Sequence, residues 1–184
     1  MENPLAVDDA DLQFELKVLP HLDAAYNLSR WLTRNNHDAE DVVQEACLRA
    51  IRFFATHHGE NSRGWLLAIV RNTCCTWLQK NRPNELNRTL PLDSTPEPSS
   101  AELDPPALAI READQEMVRQ AVEELPIEYR EVIVLRELEG MSYKEVAEIA
   151  GVPLGTVMSR LSRARRRLAQ SLGDRLEKDT QREL

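Results

Sequence analysis

The chain has 184 residues, a formal net charge of −8 and a hydrophobic content of 42%. Its apolar runs are shorter than the ~18 residues that a membrane-spanning helix requires, and its acidic start lacks the basic flank of a secretory signal. Three cysteines do not make a disulfide framework. We therefore expect one domain or two small ones, located in the cytoplasm and not inserted in a membrane.

Basic residues are concentrated in two stretches of this acidic chain. Residues 61–82 hold four basic residues and no acidic one, and residues 154–172 hold five arginines and no acidic residue. Phosphate binding depends on such local charge more than on net charge. Each stretch is therefore a candidate DNA surface, although a solvated helix face has the same composition.

Apolar residues recur at helical spacing along the first part of the chain. One helix is predicted over 10–34 with an interruption near Pro20, and a second follows from Asp38, its expected N-cap, to about Phe54. The outward face of the second helix is a mostly polar stripe made of Asp41, Gln44, Glu45, Leu48, Arg49 and Arg52. By spacing alone, this stripe is an ordinary solvated face.

A polar loop at 55–64 precedes a third predicted helix, from Trp65 to about Asn81. Cys74 and Cys75 fall inside this helix as packing residues. A metal site that joins them to the two histidines of the loop, His57 and His58, is the alternative, but no usual metal-ligand spacing supports it.

Composition changes after this helix, because residues 83–106 contain six of the ten prolines. We interpret 83–107 as a linker between an N-terminal domain (8–82) and a C-terminal domain (108–173), with a tail at 174–184. Helix resumes near Leu108 and stops at Pro126, and another helix ends at Gly140. Its predicted buried residues are Val132, Ile133, Leu135 and Leu138. No segment has a strand pattern, so the predicted fold is all-α, with two small helical domains.

The last predicted helices form a helix-turn-helix. The first begins at about Ser142, Gly151 suits a left-handed helix end, and Pro153 suits the start of the second helix. The outward residues of the second helix are Thr156, Ser159, Arg160, Arg163, Arg166 and Arg167. A basic second helix of this kind binds in a DNA major groove.

Two sets of residues resemble one known family. Residues 125–168, with G-T-V-M-S-R at 155–160, resemble the promoter-binding C-terminal domain of a bacterial sigma factor. The segment HDAEDVVQEACL at 37–48 is similar to the D-A-E-D-x-x-Q-E helix of the same family, and Gly64-Trp65-Leu66 is similar to a later segment. The whole chain resembles the group-four, extracytoplasmic-function sigma factors of the sigma-70 family.

The resemblance implies partners for both domains. Core RNA polymerase would bind through its β′ clamp helices and β flap, with the clamp contacts made by Asp41, Gln44 and Glu45. The −10 promoter element would contact Asn61, Ser62, Arg63, Arg71 and Asn72. The −35 element would contact Ser159, Arg160 and Arg163, with Thr156 and Arg166 as phosphate contacts. Gly64 departs from the threonine usual in the family, which bears on the base preferred at the −10 element.

The resemblance also implies a monomer when free, control by an anti-sigma factor, and no cofactor, metal or catalysis of its own. The sequence contains none of the common catalytic motifs. Two other interpretations remain open at this point. The chain could be a stand-alone helix-turn-helix regulator that uses only residues 112–172, or a sigma mimic that titrates an anti-sigma protein without binding DNA.

Overall fold

The structure, a computed structural model, describes residues 9–57, 59, 61–86 and 108–182, and their regular structure is entirely helical. The helices are α1 (Asp9–Val18), α2 (Leu22–Thr33), α3 (Asn36–Phe53), α4 (Ser62–Asn81), α5 (Pro83–Leu86), α6 (Leu108–Glu124), α7 (Ile127–Ile133), α8 (Tyr143–Ala150) and α9 (Leu154–Arg182). The all-α prediction is confirmed. Most of the predicted linker, residues 87–107, lies outside the described residues.

The N-terminal half is a bundle of α2, α3 and α4, with α1 packed against α4. Besides the buried hydroxyl residues Ser29, Thr33 and Thr73, its interior holds aliphatic side chains and one thiol, among them Ala25, Leu28, Leu32, Val42, Ala46, Ala50, Leu66, Leu67, Val70, Cys74 and Leu78. A short 3-10 turn at Leu19–His21 separates α1 from α2, as Pro20 predicts, because proline has no amide hydrogen for an α-helical bond.

The N-cap of α3 is Asn35, so the prediction of Asp38 was wrong. Asn35 has extended backbone angles, and its side-chain oxygen accepts a hydrogen bond from the Asp38 N–H at 3.1 Å. Asp38 instead lies in the first turn, where its carboxylate pairs with Arg82 at 2.9 Å. The amide of Asn35 can satisfy the free N–H of this turn, which leaves the Asp38 charge available for an ion pair.

The predicted burial of Leu138 was also wrong, because the backbone winding changes at the end of α7. Residues Val134–Leu138 form a π turn, in which the N–H of Glu139 donates to the carbonyl of Val134 at 2.9 Å. The extra residue per turn rotates Leu138 away from the stripe of Val132 and Leu135, and its side chain is 53% exposed.

The helix-turn-helix forms as the sequence predicts. Ser142 and Glu145 make a reciprocal capping box at the start of α8, and Gly151 ends the helix with φ = 66°. The inner faces of α8 and α9 bury Val146, Ile149, Val157, Leu161 and Ala164. Helix α9 then continues to Arg182 without a break near residue 173, so residues 174–182 of the predicted tail extend the same helix.

The two halves pack against each other through α4 with α8 and α2 with α7, and their buried apolar residues form one continuous core. Arg130 of α7 joins them. Its side chain is 1% exposed and donates hydrogen bonds to the carbonyl oxygens of Trp31 in α2, at 3.0 Å, and Leu125, at 2.8 Å. Within the described residues, no helix has the length and apolar character needed to cross a membrane.

Candidate nucleic-acid interface

The outward face of α3 presents the three residues predicted to bind the polymerase. Asp41, Gln44 and Glu45 are all exposed, at the i, i+3 and i+4 positions that share one side of a helix. Glu45 pairs with Arg49 one turn further on at 2.8 Å. Next to them, Leu48 is 54% exposed and Ile51 lies equally open to solvent. The face therefore combines negative charge with an uncovered apolar centre.

A tight turn precedes α4 and contains the first of the side chains predicted to contact the −10 element. Asn61 is the N-cap, and its side-chain oxygen accepts a hydrogen bond from the Gly64 N–H at 2.8 Å. A Cβ on residue 64 would lie 2.7 Å from the Asn61 side-chain nitrogen, so a larger residue there would require the Asn61 side chain to shift from its present position. The helix begins three residues before the predicted start, which makes Ser62 its first residue and buries it.

Next to this turn, two aromatic rings stack. The His57 ring lies parallel to the Trp65 ring, with centroids 4.4 Å apart, and Phe54 packs against Trp65 at 6.3 Å. A cavity of about 230 Å³ opens beside the stack. Its walls come from the N-terminal half at His57, Gly59, Asn61, Gly64, Trp65 and Ala68, and from α8 at Glu145, Glu148 and Ile149.

The α4 side chains predicted to contact the −10 element make contacts with the C-terminal half. Arg63 pairs with Glu139 at 2.7 Å, and Arg71 pairs with Glu131 at 2.5 Å. Asn72 is exposed, and its side-chain oxygen accepts a hydrogen bond from Arg71 at 3.3 Å.

The outer face of α9 carries the side chains predicted to contact the −35 element. Ser159, Arg163 and Arg166 are exposed, and the Ser159 hydroxyl donates to the carbonyl of Thr156 at 3.0 Å. Thr156 itself is half-buried. Neither Arg163 nor Arg166 has an ion pair with any of the described residues. Met158, on the neighbouring side of this face, is an exposed apolar residue that the sequence analysis did not single out.

Arg160 differs from the other side chains of this predicted DNA surface because it turns toward the core. It is half-buried, and its guanidinium lies 4.0 Å from the Glu131 carboxylate. Glu131 therefore contacts two arginines, Arg71 of the predicted −10 surface and Arg160 of the predicted −35 surface. Burial raises the pKa of the Glu131 carboxyl above its ordinary value, and the charges of Arg71 and Arg160 oppose that shift.

The cysteines do not form a metal site with residues that the structure describes. Cys74 is buried with its sulfur 3.8 Å from the Ser29 hydroxyl, and burial raises its pKa to about 12. Among the described side chains, no group of three or more His, Cys, Asp or Glu residues could hold a metal ion. His58, one of the residues considered for such a site, lies outside the described residues.

Each half of the chain matches the model of a known protein family. The model of sigma-70 region 2 matches residues 18–83, and the model of sigma-70 region 4 matches residues 115–168. The RNA polymerase sigma-H factor of Pseudomonas aeruginosa is 31% identical over 86% of this chain and 86% of its own length. The chain belongs to the sigma-70 family.

Other similar proteins place this sigma factor among the extracytoplasmic-function (ECF) type. The ECF RNA polymerase sigma-E factor of Escherichia coli is 36% identical over 70% of each chain. The ECF sigma factor SigE of Mycolicibacterium smegmatis is 32% identical over 84% of this chain, which spans 60% of that protein. The region 2 match contains every side chain predicted to contact the polymerase or the −10 element, and the region 4 match contains every one predicted for the −35 element.

Two solved structures share the fold of this sigma factor. The sigma factor RpoE of Bartonella quintana, solved with the anti-sigma factor NepR, is 28% identical and aligns with a TM-score of 0.67 over 88% of this chain and 97% of its own. CnrH, solved with the cytosolic domain of CnrY, is 25% identical, with a TM-score of 0.61 over 88% of each chain.

Sequence reasoning missed the carboxylates that contact the side chains predicted for the −10 element. Glu131, Glu139 and Glu145 lie in a stretch, 112–153, that holds eleven acidic and four basic residues. That excess of negative charge was the available signal, because it is complementary to the basic stretch at 61–82. The charges indicate that the two stretches attract each other, but they do not determine which residues pair.

Proposed function

We propose that this sigma factor binds core RNA polymerase through the outward face of α3. Asp41 and Glu45 supply negative charge for a basic partner surface, and Gln44 supplies a neutral hydrogen-bonding group between them. Leu48 gives this face an apolar centre, which suits a helical partner such as the β′ clamp helices. A second contact, between the β flap and the C-terminal half, would bring α9 to the upstream promoter DNA.

Promoter recognition is then divided between the halves. Ser159, Arg160 and Arg163 would contact base edges of the −35 element in the major groove, while Thr156 and Arg166 contact phosphates and set the register. The turn before α4 and the α4 helix would hold the separated strand of the −10 element, with Asn61, Ser62, Arg63, Arg71 and Asn72 as its contacts. The sigma factor catalyses no reaction itself, and it acts in the cytoplasm, where the polymerase is.

One observation carries this proposal. Both regions of the family occur in one chain, and each contains the residues expected for its own promoter element. A stand-alone regulator would need only the C-terminal half, and it would leave the acidic face of α3 without a role.

An anti-sigma factor is proposed as the regulator. Of the two similar structures, one contains the sigma factor RpoE with the anti-sigma factor NepR, and the other contains CnrH with the cytosolic domain of CnrY. For the present chain we expect a partner of the same kind, which holds the free sigma factor until a signal releases it.

The test is transcription from genomic fragments by core polymerase with and without the purified chain. We expect transcripts whose start sites share one −35 and one −10 sequence. The charge reversal Asp41→Arg with Glu45→Arg should abolish both transcription and co-elution with core enzyme. As a matched control, reversal of exposed Asp23 on α2 should change neither. No co-elution of the wild-type chain with core enzyme would refute the proposal.

A further inference from the structure

Helix α9 exposes one apolar side chain beside the residues predicted to contact the −35 element. Met158 is 51% exposed and directly precedes Ser159 in the chain. The resemblance assigns it no role. Single exposed apolar side chains are common on protein surfaces, so exposure by itself does not indicate a contact. The position of Met158 on the helix decides what it can reach.

Helical periodicity places Met158 on one flank of the outward face of α9. The inward stripe is the buried set Val157, Leu161 and Ala164. At ~100° per residue, Met158 lies about 40° around the helix from exposed Ser162. Arg160 lies on the opposite flank of the same face. Ser159 and Ser162 occupy the centre between these two flanks.

The two flanks differ in their freedom to meet DNA. Arg160 is half-buried, with its guanidinium 4.0 Å from the Glu131 carboxylate, so its flank turns toward the core. The flank of Met158 is open to solvent. Arg165 lies two turns further along that flank, and its guanidinium pairs with Glu137 at 2.5 Å. The start of the open flank therefore presents an apolar group.

Small residues lie between Met158 and the predicted base contacts. Gly155 and Ser162 are both exposed, and a Cβ added to Gly155 would have no heavy atom within 4 Å. In a helix-turn-helix, the N-terminal residues of the second helix contact base edges. Because these neighbours are small, the backbone of α9 can lie close to the floor of the groove. The unbranched side chain of Met158 then reaches the bases.

The major groove offers one apolar group to such a side chain. The C5 methyl group of thymine is that group, while the other base edges in the groove present hydrogen-bond donors and acceptors. A thioether is only a weak acceptor and has no donor, so it cannot replace the water that a polar base edge loses on contact. Met158 is therefore complementary to thymine and unfavourable beside the amino group of cytosine.

We infer that Met158 determines specificity at the −35 element by contacting the C5 methyl group of a thymine. This inference rests on the −35 assignment of α9 in the proposed function, and it adds a reader that forms no hydrogen bond. It also identifies the base. The −35 element of this sigma factor contains a thymine that is recognised through its methyl group.

The experiment begins with selection from duplexes that carry a randomised segment. It is run with the full chain alone and with the chain bound to core polymerase, because the Met158 flank is open to solvent. Each thymine of the selected duplex is then replaced singly by uracil, which removes the methyl group and keeps every hydrogen bond. Affinities are measured by fluorescence anisotropy for the wild type and for Met158→Ala. The control is Val118→Ala, which shortens a similarly exposed apolar residue of α6.

At one thymine, we expect uracil to weaken binding of the wild type and of Val118→Ala about fourfold, the effect of uncovering one methyl group. Met158→Ala should bind the two duplexes equally. Met158→Leu keeps an apolar contact and should retain the preference for thymine. Equal losses for the wild type and Met158→Ala at every thymine would overturn the inference. So would a selection that enriches no sequence, or a sequence without thymine.

The outcome is separable from that of the proposed function. Co-elution with core polymerase depends on α3 and is measured independently of duplex binding. A chain that does not bind core but has a thymine preference that depends on Met158 refutes the proposed polymerase binding and supports the inference. A chain that binds core and transcribes, but recognises no thymine methyl group through Met158, refutes the inference alone.

Discussion

The two predicted DNA surfaces of this sigma factor differ in what covers them. On α9, Ser159, Arg163 and Arg166 face solvent, whereas on α4 the arginines at 63 and 71 are paired with carboxylates of the other half. In the proposed function, the −35 element is recognised as intact duplex, and the −10 element as a separated strand. Except at Thr156 and Arg160, which are half-buried, the surface for duplex DNA is thus open, whereas two arginines of the surface for the separated strand are paired.

Of the substitutions considered, removal of the Arg130 side chain should have the largest effect, because it weakens the packing of the two halves. Arg130→Ala leaves the buried carbonyl oxygens of Trp31 and Leu125 without their donor and separates α7 from α2. We expect a loss of about 3 kcal/mol in the free energy of unfolding, measured by urea denaturation. Arg119→Ala is the control, because among the described ion pairs its guanidinium pairs only with Glu116 and Glu123 of its own helix, and partly exposed pairs of this kind contribute little to stability. A loss below about 1 kcal/mol for Arg130→Ala would show that the Arg130 contact between α7 and α2 contributes little to stability.

A substitution on the open surface should affect DNA binding alone. Arg163→Ala should weaken binding to the −35 element by ~1–3 kcal/mol if the guanidinium contacts a guanine. Arg166→Ala, the matched phosphate contact, should weaken binding equally for the −35 sequence and a scrambled duplex. Fluorescence anisotropy with both duplexes distinguishes the two roles. The same uniform loss for Arg163→Ala would assign it to phosphate.

The turn before α4 offers a sharper test of the surface for the separated strand. Gly64→Ala places a Cβ against the Asn61 side chain, which both caps α4 and donates to Glu145. We expect a loss of about 1 kcal/mol, the usual effect of removing an N-cap. Gly155→Ala has open space around its Cβ and lies in the first turn of α9, so it should cause no loss of stability. Thermal denaturation of both variants tests the contrast, and equal changes would contradict the steric argument.

The smallest expected effect is a pH dependence at Glu131, because Arg71 and Arg160 offset part of the burial penalty. Glu128 of the same helix adds to the upward shift of its pKa. Because the pKa of Glu131 is raised in the folded chain, protonated Glu131 contributes to the free energy of unfolding. This contribution is complete below pH 4.5, the ordinary value, and is lost as pH rises through the raised pKa. Urea denaturation at a series of pH values above 4.5 should show a decline in the free energy of unfolding of the wild type, and Glu131→Gln should lack this decline. Parallel curves for the two proteins would show that Glu131 does not titrate in this range.

Local signals in the sequence predict the elements of this fold well. Pro20, Ser142 and Gly151 each fix a backbone feature within one turn of themselves, and the structure confirms all three. The errors arise where two local signals compete or where the winding changes. Asn35 and Asp38 are both good caps, and only the structure shows which of them is extended. The π turn that exposes Leu138 changes the period on which the burial prediction depended.

The relation between the two halves could not be predicted in the same way. The stripe on α3 and the outer face of α9 follow from helical periodicity, and the resemblance then gives them roles. Burial of Glu131 beside Arg71 depends on the packing of helices that are sixty residues apart in the sequence, and no local pattern encodes it. Composition indicates attraction between the basic stretch at 61–82 and the acidic stretch at 112–153, but it does not give the pairing.

The uninterrupted length of α9 has a mechanical consequence. Its 29 residues make a rod about 43 Å long, with the DNA face near one end and Arg175 further along. Arg175 donates a hydrogen bond to Gln120 at 2.9 Å and pairs with Glu124 at 2.7 Å, and these two contacts fix α9 against α6. The recognition face cannot tilt by itself. A change in the direction of α9 therefore requires α6 to turn with it, so a partner that moves the end of α6 near Glu124 also reorients the DNA face of α9.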